Sequence, residues 1–453
     1  MIAPARIAAY AVLRAVGSGN SDLPGALARV RATLPDERDR ALAGEIATGT
    51  LRWQGSFDAI IAAFTSRAAA RMDPEVLDIL RLTIFQLLHL DRIPASAAVN
   101  DAVQLARKAG KQSASGLVNA VLRRVSRERR QLPLPVRPAS GADLEAARAY
   151  LSVTLSHPRW LMERWLDRYG LDATETWAQF DNGPAPLTLR AIWWRTTREQ
   201  LAASLAAHGV DTEPARFAPG GLVVRSGNPL LSPIANDGTF VVQDEASQLV
   251  GVFAGARPGD RALDACASPG GKTTQLAAAV GDGLVVASDV RRRRVDLLVN
   301  TIRTTGAKHV RVVRADATGG LPFDAQFDLV LLDAPCSGLG TLRRDPDIRW
   351  RRTADDLPVL AEAQFAMLNE AARVLRPGGR LVYATCSSEP EENELVVERF
   401  VRARPQFAPA PADAIPEPVR PFLDTRGHFR TLPFRDQLEA FFAAMLVKTK
   451  DLQ

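Results

Sequence analysis

Apolar residues along the first 130 positions recur at helical spacing, every three to four residues, in RIAAYAVLRAV (6–16), EIATGTLRWQGSFDAIIAAF (45–64) and AAVNDAVQLARKAG (97–110). The most apolar segment, VLDILRLTIFQLLHL (76–90), has the same period, interrupted by Asp78, Arg81 and Gln86. It is too short and too polar to span a bilayer, and predicts a buried core helix. SGLVNAVLRRV runs into the basic stretch RRVSRERR (123–130), and LPLPVRPASG (132–141), with three prolines and no period, predicts a linker. Residues 142–232 alternate: a helix in SHPRWLMERWLDRYG (156–170), a strand in PLTLRAIW (186–193), a helix in TTREQLAASLAAHG (196–209) and a strand in GLVVRS (221–226).

Beyond about residue 240 the rhythm becomes strand, turn, helix. Short apolar runs RALDAC (261–266), GLVVASD (283–289), HVRVVRAD (309–316), FDLVLLD (327–333) and GRLVYATC (379–386) each close on Asp or Cys, with helical segments between them. Alternating βα units predict a mostly parallel sheet covered on both faces, with ligands bound beyond the C-terminal strand ends. The Pro-rich stretch 403–421 is expected to be a long surface loop before a last apolar run, AFFAAMLVK (440–448). The expected architecture is an all-α domain (1–131), a small α+β domain (142–232) and a Rossmann-like α/β catalytic domain (233–453).

Composition changes this picture little: 46% apolar and 24% charged residues describe an ordinary globular chain, and 453 residues exceed one core. Charge placement is more telling. Residues 1–130 carry nineteen Arg and Lys against twelve Asp and Glu, while the whole chain is only +6. A basic front part fits a polyanionic partner; an Arg-rich, Lys-poor composition from a GC-rich genome fits equally well. Trp160, Trp165, Trp193 and Trp194 have two readings, base stacking or core packing, with packing expected for at least two. Three cysteines without CxxC or HxxxH spacing predict free thiols and no metal site. With no basic-then-apolar leader, the expected compartment is the cytosol.

The chemistry begins at ALDACASPGGKTTQLAAAVG (262–281). GGKTT imitates a phosphate-gripping loop, and DLVLLDAP (328–335) imitates the strand that holds its magnesium. The loop pattern needs a glycine where Cys266 stands, so an NTPase reading fails at its first position. Asp289, ending a strand 19 residues after Gly270, is the expected partner of ribose hydroxyls. Asp316 is placed to accept from an adenine amino group or a backbone N–H, and Gly270 and Gly271 allow close approach of a ligand. Each acid alone would be read as a turn or cap residue; several along one sheet edge point to a site. Cys336 in DAPCSG and Cys386 in ATCSSEPEEN lie past strand ends. Nucleotide hydrolysis has no use for two thiols there. Methylation of a pyrimidine at C5 does, because a thiolate must add to C6 before C5 can attack a methyl donor, with Asp333 as the supporting carboxyl.

DACASPGGKT, LLDAPCSGLGTLRRDPDIRW and YATCSSEPEENE resemble the motifs of RNA (cytosine-5) methyltransferases of the Nop2/NSUN/Sun group. AAVNDAVQLARKAG and SGLVNAVLRRV resemble the NusB-like RNA-binding domain that precedes the catalytic domain in a bacterial branch acting on 16S rRNA. SHPRWLMERW and QDEASQLV (243–250) resemble stretches between the two. The resemblance implies S-adenosyl-L-methionine as methyl donor, held by Cys266, Ala267, Ser268, Pro269, Gly270, Gly271 and Lys272 with Asp289, Asp316 and Asp333. It implies Cys386 as nucleophile, Cys336 as the thiol assisting product release, and Asp333 as catalytic carboxyl. The residues alone leave the order of the two cysteines open. RNA, 16S rRNA first, is the implied partner, naked or within an assembly intermediate, with no membrane, no metal and a monomer as default. Arg343, Arg344, Arg349, Arg351 and Arg352 are candidates to grip its backbone, against ordinary surface charge. Ser268 replaces the usual Ala, Asp345 the usual His or Asn, and LPFRDQLEAFFAAML lacks the usual Asp-Gly-Phe-Phe. A non-enzymatic RNA-binding factor is the remaining alternative, and it leaves Cys386, Cys336 and Asp333 without a purpose.

Overall fold

The computed structural model describes residues 2–139 and 143–449; Ser140 and Gly141 at the end of the expected linker lie outside them. The chain packs as two units, one of residues 1–184 with 342–354, the other of residues 185–341 with 355–453. The first unit is helical. Pro74–His89, with Pro at its start where no intrahelical N–H is needed, is the central helix and buries Val76, Leu77, Ile79, Leu80, Leu82, Ile84 and Phe85. Its buried Asp78 is neutralised by Arg14 (2.9 Å) and Arg81 (3.4 Å). Among the described residues no helix is long and apolar enough to cross a membrane. The helix Arg159–Asn182 turns a corner at Gly170, whose φ of 76° only glycine adopts freely. Trp165 and Trp177 of that helix stack at 4.1 Å and are fully buried. Of the four tryptophans considered above, only Trp165 is buried; Trp193 is 73% exposed and Trp194 38%.

The unit also contains residues 342–354, which follow the second motif in sequence. Arg349 is fully buried and donates from Nη1 to the carbonyls of Arg52 (3.2 Å) and Ser156 (2.9 Å) and to Asn182 Oδ1 (3.0 Å). Trp350 Nε1 donates to Leu51 O at 2.6 Å, and Asp347 accepts from Leu23 N at 3.2 Å. Arg349 is therefore a packing residue and not a grip on an RNA backbone: every direction it faces is occupied by protein.

The second unit opens with an antiparallel sheet in the order β2-β3-β1-β4, with β1 Thr188–Ala191, β2 Asp211–Pro214, β3 Gly221–Ser226 and β4 Phe240–Val242. The helix Arg198–Ala207 covers it, started by a reciprocal cap between Thr197 and Gln200. Leu189, Leu201, Leu205, Leu222 and Phe240 form its small core. β2 and β4 carry no alternating apolar signal, and only pairing with β3 and β1 defines them.

The large sheet is built from β5 Arg261–Asp264, β6 Leu284–Asp289, β7 Val310–Arg314, β8 Phe327–Asp333, β9 Leu375–Thr385, β10 Phe407–Pro409, β11 Phe429–Thr431 and β12 Phe441–Lys448. Its order is β10-β12-β9-β8-β5-β6-β7, with β11 beside β12. β5 to β9 are parallel, and β12 joins β9 antiparallel. Separate cores fill its two faces, one around Leu249, Phe253, Leu276 and Phe429, the other around Phe327, Leu368, Tyr383 and Phe400. That double coverage explains why the strands read as continuous apolar runs. Strand order reverses at β5, so its C-terminal end and that of β8 flank a crevice. The stretch 403–421 is not the expected surface loop. β10 pairs with β12, and Ile415, Val419 and Phe422 are buried under the sheet.

Candidate active site

The turn after β5 is tied down from below. Ala267 N donates to Ser288 O (2.8 Å) and Ser288 Oγ to Ala265 O (3.0 Å), joining the β5 and β6 ends. The Ser268–Pro269 peptide is cis. Gly270 has φ of 110° and caps the helix Gly271–Val280; a Cβ there would lie 3.0 Å from Leu298. From the small sheet, buried Arg190 of β1 donates to Gly271 O (3.0 Å), Thr274 Oγ1 (2.5 Å) and Gln243 Oε1 (2.7 Å). Burial lowers its guanidinium to about 9, and the three acceptors hold it at the start of the helix. Sequence reading missed Arg190, because the contact joins residues some eighty positions apart.

Along the strand ends, the polar groups fall where a ribose-bearing ligand needs them. Asp289 is 5% exposed at the end of β6 and pairs with Arg294 at 3.0 Å, whose other nitrogen donates to Ser268 O. Asp316, past β7, is exposed and accepts from Thr318 N (2.8 Å) and Oγ1 (2.7 Å), which hold its carboxyl below the usual value. Asp264, unremarked in the sequence, accepts from Thr273 Oγ1 at 2.7 Å, while its Oδ1 is buried without a hydrogen-bond partner. Burial pushes Asp264 to about 7, only partly offset by Thr273. Burial also raises the Cys266 thiol, with Asp264, Asp289 and Asp333 adding to the effect. An orphaned acceptor, a glycine cradle and a buried strand-end acid fit an adenosine-bearing ligand.

Lys272 decides against the phosphate-loop imitation. Its Nζ donates to Asp333 Oδ2 (2.8 Å) and Ser247 Oγ (2.9 Å). Burial works against its charge, but Asp333, Asp264 and Cys386 together hold it above its ordinary value. The two residues that imitate a phosphate lysine and a magnesium carboxylate are thus paired with each other. Ser247, from QDEASQLV, is a third member of this cluster that sequence reading did not single out. Among the described residues no cluster suits a metal ion.

The cysteines meet one strand further on. Register pairs Asp333 of β8 with Ala384 of β9, so the chain leaves adjacent strands at adjacent points. Cys336 and Cys386 face each other at Sγ–Sγ 3.2 Å, a thiol hydrogen bond and far beyond disulfide length. The Cys386 carbonyl accepts from Gly340 N, and Gly340 itself leaves no room for a Cβ against Ala440 O. The structure therefore brings together Cys266–Lys272, Asp289, Asp333, Cys336 and Cys386 along one sheet edge, with Asp316 at its far end.

A family model for the 16S rRNA methyltransferase RsmB/F matches residues 253–447; the NusB family matches 3–127, and a ferredoxin-like domain of RsmF/B-like methyltransferases matches 157–230. The chain is 32% identical over 417 residues to the probable ribosomal RNA small subunit methyltransferase B of Bacillus subtilis, covering 91% of each. It is 35% identical over 408 residues to ribosomal RNA small subunit methyltransferase B of Pseudomonas putida, covering 88% of this chain and 89% of that one. Among solved structures it matches PH0851 at TM-score 0.80 and 26% identity over 99% of both chains. A methyltransferase homologue from Pyrococcus horikoshii aligns at TM-score 0.56 and 26% identity, over 67% of this chain and 99% of that one.

Proposed function

The chain belongs to the RsmB/F family of 16S rRNA methyltransferases, and from that premise we propose that it methylates C5 of a cytidine in 16S rRNA through a covalent thiolate adduct. It is an S-adenosylmethionine-dependent RNA methyltransferase; the donor, when bound, supplies an electrophilic methyl group on a sulfonium. The observation that supports the finer reading is the pair of thiols 3.2 Å apart, one strand from the Lys272–Asp333 pair.

In this reading Asp289, the 266–272 turn and Asp316 would hold the donor, Asp289 through its ribose hydroxyls. The target base leaves its stack and enters the crevice beside β8. Cys386 adds as thiolate to C6, forming a C–S bond and moving the C5–C6 electron pair onto C5. Asp333, carrying a proton on the oxygen that Lys272 does not hold, donates to N3 of the base and stabilises that charge. C5, now nucleophilic, would accept the methyl group that the donor supplies. A base then removes the C5 proton, the electron pair re-forms C5=C6, and Cys386 leaves as thiolate with Cys336 assisting. Substrate RNA also has a place on the helical unit. A groove of about 720 Å³ between the helices Ala95–Lys108 and Ser115–Glu128 is lined by Arg107, Arg123 and Arg127 with Asn100 and Asn119, and among the described residues no acid lines it. Cationic and amide donors in one groove suit a phosphate backbone.

Methyl transfer from labelled donor to unmodified 16S rRNA, with the product mapped by bisulfite sequencing, tests the proposal. One new protected cytosine, lost in Cys386→Ala, is expected. Label on a base other than cytosine, or transfer that survives Cys386→Ala, would overturn it.

A further inference from the structure

Glu392 is fully buried, and its carboxylate is occupied from three sides. Oε1 accepts from Ser337 N at 2.8 Å and from Gln364 Nε2 at 2.9 Å; Oε2 accepts from Ser387 Oγ. Ser337 directly follows Cys336, and Ser387 directly follows Cys386. The two serine hydroxyls also meet each other, at 3.1 Å. Gln364, from the helix Asp356–Val374, gives a further bond to Pro335 O at 3.0 Å, immediately before Cys336. Tyr383 of β9 donates to the Glu392 carbonyl, which fixes the backbone that carries the carboxylate. Nothing in the chemistry of methyl transfer requires a buried acid at this point, yet burying one is costly unless it is fully hydrogen-bonded.

We infer that Glu392 is a positioning residue that clamps the Cys336 and Cys386 loops at a fixed separation and holds Cys336 as the protonated partner, so that Cys386 alone serves as nucleophile. The inference rests on the covalent reading above and supplies the physical reason for the order of the two cysteines. Loops leaving parallel strands have no ladder to fix them, and one carboxylate bonded to both replaces it. Its charge acts in the same direction. The groups facing Cys336 are Cys386, Glu392 and Tyr383. The hydrogen bond that Cys336 donates to Cys386, then burial, then the Cys386 and Glu392 charges all raise the Cys336 thiol, opposed only by the Gly338 amide. A thiol kept protonated is a poor nucleophile.

The test compares wild type with Glu392→Gln, Glu392→Asp and Ser387→Ala in the full-length enzyme. The first readout is the pH profile of iodoacetamide alkylation at Cys336, followed by peptide mass spectrometry without RNA or donor. Removing the charge is expected to lower the Cys336 midpoint by about one pH unit, with Glu392→Asp staying near wild type. The second is steady-state methylation: kcat falls ~10- to 100-fold in Glu392→Gln, while KM for donor and RNA stays within ~3-fold. Should Glu392→Gln not fold, Ser387→Ala removes the carboxylate's bond to the second loop together with the Ser387 contacts to Ser337 Oγ and Glu389 N, and a ~3- to 10-fold fall in kcat at constant KM is expected. An unchanged alkylation profile, or a wild-type kcat in folded Glu392→Gln or in Ser387→Ala, would overturn the clamp. A shifted profile in an enzyme that methylates no RNA would keep the clamp and sink the reading of its purpose.

Discussion

Two buried clusters of charge in this molecule are built on opposite terms. At the sheet edge of the second unit, most buried or half-buried charges find their complement, the unpartnered Asp264 Oδ1 being the exception: Lys272 lies between Asp333 and Ser247, Asp289 meets Arg294, and both oxygens of the Glu392 carboxylate accept from donors. In the helical unit, Arg349 is surrounded by carbonyls, while the buried Asp181 has neither oxygen hydrogen-bonded and lies 3.4 Å from a neutral His157. Burial raises Asp181 to about 7, with Arg349, Arg343 and Arg52 only partly opposing it, and lowers His157 well below its usual value. The first cluster fixes geometry. The second fixes a fold and carries an unresolved proton. Saturated networks suit chemistry, where a misplaced atom costs rate; undersatisfied ones are tolerable where only stability is at stake.

The comparison breaks if changes at the edge alter melting more than rate, or changes in the helical cluster do the reverse. The largest expected effect is at the edge: Cys386→Ala reduces methylation by at least ~10³-fold in a single-turnover assay, with melting unchanged. Next, Arg349→Leu removes the cation from among buried carbonyls and from beside Asp181, at a cost of ~3–5 kcal/mol in denaturant unfolding, with donor affinity unaltered. A pH series sharpens the contrast further. Asp181 keeps its proton in the folded state to about pH 7 but loses it near pH 4 when unfolded, so the native state loses stability as pH rises through that window. Asp181→Asn therefore gains on wild type between pH 4 and 7, by on the order of a few kcal/mol, read from melting at each pH. His157 is present in both proteins and cancels from that difference. The smallest expected effect is Asp289→Asn, which weakens donor binding ~10-fold by calorimetry and leaves the kcat of donor-saturated enzyme near wild type.

What the sequence disclosed divides along the same line. β5, β6, β7, β8 and β9 were visible because both faces of a parallel sheet are covered, which writes continuous apolar runs, and their closing Asp and Cys residues marked the edge. The helices of the first unit were visible through their period. The short pairings β2, β4, β10 and β11 were not, since partners and not side-chain alternation define them. Charge was the hardest to read. Arg349, amid Arg343, Arg344, Arg351 and Arg352, looks like part of a basic stripe, yet it is fully buried while Arg351 is exposed and paired with Asp347. Arg190, Ser247 and, through Ser337 and Gln364, Glu392 act through partners twenty-five to eighty-four residues away, as in the bond from Arg190 to Thr274. A one-dimensional pattern has no mark for such a pairing.

The helical unit, finally, is not a stretch of the gene. Residues 342–354 supply its buried arginine and the indole that caps the Leu51 carbonyl, although they are encoded only a few codons after Cys336. A chain cut at Pro184 would leave Ser156 O, Asn182 and Asp181 facing an empty channel, and would have to be rescued by a peptide of that sequence. Any shuffling of modules between relatives must therefore carry this strip along with the front half, and lineages that exchange one without the other inherit a hole.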